Sequence, residues 1–269
     1  MEIHETAILH DGAKLGNGVR IGAFSVVEGG TVIGDGTTLH TGVIVRKGTH
    51  IGKDCTVHHG AVLGGEPQDV KFKGENSYLK IGDRTCIREY VTLNRATGEG
   101  CETVIGDDCF IMAYSHAGHN CRVGDGVSMA NCTALGGHVA VGNGSFIGGY
   151  CGIHQFVRVG DHVMVGGGCF VFEDVPHYMM VAGGYRASVC ALNTVGLQRA
   201  GFDQETRNEL KRAYRLIYLS DLPKVRVIET LKNDFSQRET IGNLIDFLEK
   251  SDRGVSRKPG KSRAGERAS

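Results

Sequence analysis

Aliphatic residues recur every six positions from the start of the chain to beyond residue 170. From Ile3 the frame runs through Leu9, Leu15, Ile21, Val27, Ile33, Leu39, Val45, Ile51, Val57 and Leu63. It resumes at Ile81, Ile87 and Leu93, and again from Ile105 through Ile111, Val123, Leu135, Ile147 and Val159 to Val171. Asp69, Glu75 and Glu99 break it, inside polar stretches near 64–80 and 94–104 that read as loops ejected from the repeat. An α-helix has no six-residue period, so a helical solenoid is excluded. A second column, two residues before each aliphatic, is small or β-branched, as at Ala7, Ala13, Ser25, Thr31, Thr37, Ala61, Ser115 and Thr133. Such hexads stack short strands into a parallel β-helix. Three hexads make one triangular coil of eighteen residues, coils lie about 4.8 Å apart, and the repeats suffice for about nine of them.

The pattern dissolves after Asp174-Val175-Pro176, and glycine, 41 residues in all, becomes sparse beyond residue 190. The organisation expected is therefore a coil over 1–190, a small helical C-terminal domain over 191–251 and a disordered basic tail over 252–269. In the helical part Asp203 reads as the N-cap of a helix over 204–219, with Leu210, Ala213, Tyr214 and Ile217 along one face. Lys+Arg and Asp+Glu balance at 30 each, so no global field points to nucleic acid. No apolar run is long enough to span a membrane, and the N-terminus lacks a basic-then-apolar leader. Nine cysteines without a C-x-x-C pair argue against a disulfide framework and a zinc ribbon. Five of them (Cys55, Cys109, Cys121, Cys151, Cys169) fall in the small-residue column, where they read as small apolar fillers of a narrow core. The expectation is a cytoplasmic protein. Glycines such as Gly16, Gly34, Gly52, Gly106 and Gly142 follow the aliphatic position, where a tight turn calls for a permissive backbone.

Fold alone assigns no function, so the chemistry must come from residues sharing a corner of the coil. Stepping by eighteen from His119 reaches Gly137 and Gln155, with His138 and His154 as their neighbours. These residues line one edge, outside both inward phases, over about 10 Å. His4, His10, His40 and His50 follow no such column and read as surface residues.

The segments Gln68-Asp69-Val70-Lys71-Phe72, SHAGHNC (115–121), GGH (136–138), HQF (154–156), DVP (174–176) and LNTVGLQRAGF (192–202) resemble the UDP-N-acetylglucosamine 3-O-acyltransferase family. The likeness covers about residues 3–250, with the motifs in the family's order. It implies an all-β left-handed parallel β-helix followed by a small α-helical domain, and the hand comes from this resemblance alone. It also implies a homotrimer with sites between subunits, acyl carrier protein as acyl donor, UDP-N-acetylglucosamine as acceptor, the first step of lipid A biosynthesis, and no metal or organic cofactor. His119 matches the family's general base, a role a neutral imidazole suits at neutral pH. The N–H of Gly137 matches the donor to the oxyanion. His116, His138, His154 and Gln155 match substrate-positioning residues. Asp69 and Lys71 match residues that hold the sugar nucleotide and that a neighbouring subunit can supply. Asn193 and Arg199 match nucleotide contacts, and Gly167 matches the position that limits acyl length.

The chain departs from the family at three places. Asn120 replaces the usual Asp after the base, which removes carboxylate support for the imidazole yet keeps the residue among the site candidates. Ala200 replaces an arginine, and Gly183-Gly184-Tyr185 replaces a Gly-Asn turn. Two alternatives remain open from sequence: the sister enzyme that N-acylates the 3-O-acylated sugar, and a zinc enzyme of the γ-carbonic-anhydrase type using His116, His119 and His138. Basic residues Arg199, Arg207, Lys211, Arg212 and Arg215 form a candidate docking patch for an acidic carrier protein, the alternative being an ordinary solvated helix face.

Overall fold

A computed structural model describes residues 1–236, 238–251 and 253–256. The basic tail, apart from its first few residues, lies outside them. The hexads form three sheets of very short parallel strands, and the coil winds left-handed. The first face starts at Glu2–Ile3, the second at Ile8–Leu9 and the third at Lys14–Leu15, and each strand pairs in register with the strand one coil above. The aliphatic frame points inward and is almost wholly buried from Ile21 to Val171. At the open N-terminal end Ile3 and Leu9 remain 41% and 40% exposed, because no coil covers them.

The inner small-residue column does more than fill space. Thr37 and Ser145 hydroxyls donate to the carbonyls of Gly52 and Gly160, and the thiols of Cys109, Cys121 and Cys151 donate to those of Gly124, Gly136 and Gly166. These side chains satisfy corner carbonyls that a buried apolar filler would leave bare. Burial pushes the Cys109 thiol up to about 11 and the Cys121 thiol up to about 12, which keeps both protonated and inert.

Three corners join the faces. The turn residue in left-handed backbone is the last of each hexad, filled by Gly18 or Gly36 in some coils and by Asp54, Arg84 or Asn120 in others. The glycines after the aliphatic position of the third face do not have positive φ. Gly16, Gly34, Gly52, Gly106 and Gly142 are small because a Cβ there would strike the coil above, which corrects the turn-based reason for them. At that third corner a ladder of side chains caps the backbone: Asp107 N–H donates to Asp125 (2.9 Å), Asp125 N–H to Asn143 (2.8 Å) and Asn143 N–H to Asp161 (2.7 Å).

Both ejected loops leave from the second corner, one after Val62–Gly65 and the other after Thr92–Asn94. The first loop departs two coils below His116–Ala117, because the ejected hexads build no coil. One reading of the histidines is corrected: the His40 ring stacks on His58 at 4.7 Å along the first face. Beyond the coil, Met179–Ala182 and Ser188–Leu192 close the first face as an antiparallel pair. Four helices follow: α1 (Thr194–Arg199), α2 (Gln204–Leu219), α3 (Lys224–Asp234) and α4 (Glu239–Glu249). Asp203 caps α2 by accepting from Thr206 N–H at 2.7 Å, as the sequence pattern predicts.

Candidate active site

At the second corner, as at the first and unlike the third, no side chain from the coil above caps the turn's backbone N–H among the described residues. The residue above His119 is Gly137, which has no side chain to accept its N–H, and the residue above Gly137 is Gln155. Among the described residues neither the His119 nor the Gly137 N–H makes the side-chain bond that the ladder provides at the third corner. The Gly137 amide is thus free for an outside acceptor. The same glycine makes room for the imidazole: a Cβ on it would sit 2.5 Å from His119 Nε2.

Asn120 fixes which nitrogen of that imidazole is bare. Its Oδ1 accepts from Thr97 N–H (3.0 Å) while its Nδ2 donates to the Thr97 carbonyl (3.0 Å), so the amide has one orientation. Oδ1 also lies 2.8 Å from His119 Nδ1 and can only accept there, so Nδ1 carries the proton and Nε2 holds the lone pair. Asn120 was a candidate for substrate contact; its side chain is instead committed to His119 and to the second loop.

The other histidines surround this pair. His138 stands edge-on to His119 (ring centroids 5.2 Å apart) and stacks on Phe156 at 4.6 Å. Desolvation, followed by the neighbouring His119, holds its imidazole below the ordinary histidine range. His116 faces outward from the second face, with Nδ1 2.8 Å from Thr92 Oγ1, and burial lowers its pKa. His154 and Gln155 line the same groove one coil higher.

The first loop folds back over this corner of its own chain. Gln68, which the sequence reading quoted but did not place in the site, lines the groove beside His119. The Asp69 carboxyl is held below its usual range, first by the Lys71 N–H (2.9 Å) and also by the field of His119. Lys71 is exposed at the loop's tip. The second loop secures the first. Buried Arg95 lies over the Phe72 ring at 5.2 Å and meets Glu66 at 3.3 Å, and Gly98 N–H donates to Glu75. The Asp69 carboxylate thus feels the His119 of its own chain, next to Gln68 in the groove lining.

Three candidates are not brought together with His119. Asn193 caps α1 and donates to the His162 carbonyl at 2.8 Å, at the third corner. Arg199 is exposed at the end of α1. Gly167 lies at the first corner, stacked above Gly149. In the basic patch, Arg212 is held over the Phe235 ring at 4.8 Å within the helical bundle.

Comparison with known proteins places this geometry among relatives. The family described as Udp N-acetylglucosamine O-acyltransferase, Domain 2, matches residues 174–256. Bacterial transferase hexapeptide repeats match 30–65 and 102–137, and the hexapeptide repeat of succinyl-transferase matches 12–47 and 138–173. The chain is 43% identical to the acyl-(acyl-carrier-protein)–UDP-N-acetylglucosamine O-acyltransferase of Stenotrophomonas maltophilia, over 95% of this chain and 97% of that one. It is 44% identical to the enzyme of that name from Thermodesulfovibrio yellowstonii, over 95% and 99%. Among solved structures, the UDP-N-acetylglucosamine acyltransferase of Francisella novicida superposes with a TM-score of 0.92 at 33% identity, covering 96% of this chain and 95% of that one. The O-acyltransferase of Moraxella catarrhalis does so with a TM-score of 0.91 at 36% identity, covering 96% and 100%.

Proposed function

Because the chain belongs to the UDP-N-acetylglucosamine O-acyltransferase family, we propose that it transfers a fatty acyl group from acyl carrier protein to the 3-hydroxyl of UDP-N-acetylglucosamine, the opening step of lipid A biosynthesis. The observation that carries the mechanism is the pairing at the second corner. An imidazole locked with Nε2 bare stands beside a backbone N–H that has no partner among the described residues.

A sugar hydroxyl is too weak an acid to attack a thioester unaided. His119 Nε2 takes the hydroxyl proton as the oxygen bonds to the thioester carbon. The carbonyl oxygen becomes an oxyanion, and the Gly137 N–H donates to it. Collapse breaks the C–S bond, and the imidazolium returns its proton to the departing thiolate of the carrier. Asp69 and Lys71 on the folded-back loop hold the sugar nucleotide, with His116, His138, His154 and Gln155 positioning it along the groove.

The homotrimer belongs to the same proposal. His119, Gly167 and the α1 pair Asn193 and Arg199 sit at three different corners of one chain, and packing a second copy against the second corner would bring them to one groove. A guanidinium there suits the nucleotide's phosphates. The setting proposed is the cytoplasm, since thiols built into the core as hydrogen-bond donors suit a reducing compartment.

The test incubates the protein with a panel of acyl carrier protein thioesters and UDP-N-acetylglucosamine and reads products by mass. A 3-O-acylated nucleotide and free carrier thiol are expected. No acylated sugar with any thioester refutes the reading.

A further inference from the structure

Beyond α4 the chain crosses back over the C-terminal end of the coil. Val255 pairs in parallel with Asp174: the Asp174 N–H donates to the Gly254 carbonyl at 3.0 Å and the Ser256 N–H to the Asp174 carbonyl at 2.7 Å. The buried Asp174 carboxyl ties this crossing to the coil, accepting from the Arg158 N–H at 2.8 Å and from the Ser251 hydroxyl at 2.9 Å. Arg158 in turn lies over the Phe247 ring at 4.4 Å and donates to the Lys250 carbonyl at 2.8 Å. A short segment bonded at both ends has few conformations left, so it presents Arg253 in one place.

That place is the upper end of the groove beside His119. Arg253 Nη2 lies 3.1 Å from His154 Nδ1, and Arg253 Nε donates to the Phe172 carbonyl at 3.4 Å. His154, Gln155 and Phe172 all line the groove. The same Nδ1 is 3.1 Å from the Gln155 carbonyl. These two neighbours make opposite demands. A carbonyl only accepts, so it asks for a proton on Nδ1; a guanidinium only donates, so it asks for the lone pair. One nitrogen cannot meet both. A hydrogen bond from a charged donor is about twice as strong as a neutral one, which puts the proton on the other nitrogen, Nε2. Given the acyl transfer proposed above, on which this rests, we propose that Arg253 is a positioning residue: it holds His154 with the proton on Nε2, so that the imidazole donates to an oxygen of UDP-N-acetylglucosamine. His119 and His154 then serve the groove in opposite forms. Asn120 leaves His119 a bare Nε2 that takes a proton, whereas Arg253 leaves His154 an Nε2–H that gives a hydrogen bond. Without the guanidinium the Gln155 carbonyl draws the proton to Nδ1, and Nε2 turns a lone pair on the oxygen it should hold.

The experiment uses isotope-labelled histidine and reads the ring nitrogens of His154 by nuclear magnetic resonance, assigned through His154→Gln, in the full chain and in Arg253→Met and Arg253→Lys. Calorimetry measures UDP-N-acetylglucosamine binding, and steady-state kinetics separates KM from kcat, for the same proteins and for Arg253→Met combined with His154→Gln. The wild type should carry the proton on Nε2 and Arg253→Met on Nδ1, with melting unchanged because the Asp174 pairing remains. One lost hydrogen bond should weaken nucleotide binding and raise KM about three- to tenfold, with kcat within about twofold of wild type. Arg253→Lys, which keeps a charged donor, should restore part of the binding. The loss should vanish in the His154→Gln background, since Arg253 acts through that ring. A wild-type proton on Nδ1 overturns the proposal, and that measurement stands even if Arg253→Met fails to fold. An equal loss with and without His154 overturns it too, making the guanidinium a nucleotide contact in its own right. So does a wild type that does not bind the nucleotide. A wild type that binds the nucleotide but acylates nothing removes the acyl-transfer reading alone, and the ring nitrogens and the binding cycle still decide the role of Arg253.

Discussion

Replacing Asn120 separates two jobs that one side chain performs. In Asn120→Ala the Thr97 N–H, the Thr97 carbonyl and the His119 Nδ1–H all lose their partner. Each such bond is worth about 0.5–1.5 kcal/mol. The two to Thr97 anchor the second loop, which in turn secures the loop carrying Asp69. Their loss, about 1–3 kcal/mol, is expected to raise KM for the sugar nucleotide about tenfold, since 1.4 kcal/mol is a factor of ten. The third bond fixes the tautomer. Without it the imidazole is free to carry its proton on Nε2, where the lone pair is needed, and kcat should fall about 10- to 100-fold, part of what general-base help is worth. Asn120→Asp divides the effects. A carboxylate still accepts from Nδ1 and from Thr97 N–H, and it stabilises the imidazolium better than an amide, but it presents oxygen to the Thr97 carbonyl in place of N–H. Sequence alone predicts equal or modestly higher activity for this variant. The structure adds a cost in KM, while kcat stays near wild type and its acidic limb moves to higher pH. Steady-state kinetics over pH on both variants, with nucleotide binding by calorimetry, decide the matter. If the two variants lose kcat equally, or if Asn120→Ala stays within twofold of wild type, the tautomer argument is wrong.

His119→Ala should lower kcat at least about a hundredfold with nucleotide binding nearly intact, while His138→Ala acts partly on KM; a His119 variant above about a tenth of wild-type kcat would assign the base elsewhere. Light scattering in dilute solution should give the mass of three chains, and an active monomer would remove the shared groove. Burial lowers the imidazole pKa of His116, His138 and His162, so the folded chain binds fewer protons than the unfolded chain at mildly acid pH. Stability from these groups is present above the unfolded histidine pKa of about 6.5 and is lost as pH falls below it. Melting temperature should therefore fall between about pH 7 and pH 5, before most carboxylates titrate, and His116→Gln should shrink that fall; a flat melting curve over the window contradicts it.

The period of six was enough to establish the coil. Stacking demands one inward aliphatic per hexad, so Ile21, Val27 and Ile33 announce three faces without any tertiary information. The same spacing places Gly137 one coil above His119, because a regular stack turns sequence distance into height. Family resemblance added the roles and the hand. What periodicity could not carry is whatever leaves the repeat. The path of the loop bearing Gln68 and Asp69 back to its own His119 depends on the Arg95–Phe72 and Glu75–Gly98 contacts, whose partners stand in different loops at no fixed spacing. The direction of the Asn120 amide depends on Thr97, across the corner from it. The glycines of the third face were legible as small, but the reason, the coil above, appears only in three dimensions. Sequence fixes contacts that repeat with the coil, whereas contacts between ejected loops and between outward side chains are chosen by packing, and packing is decided only when the whole chain has closed.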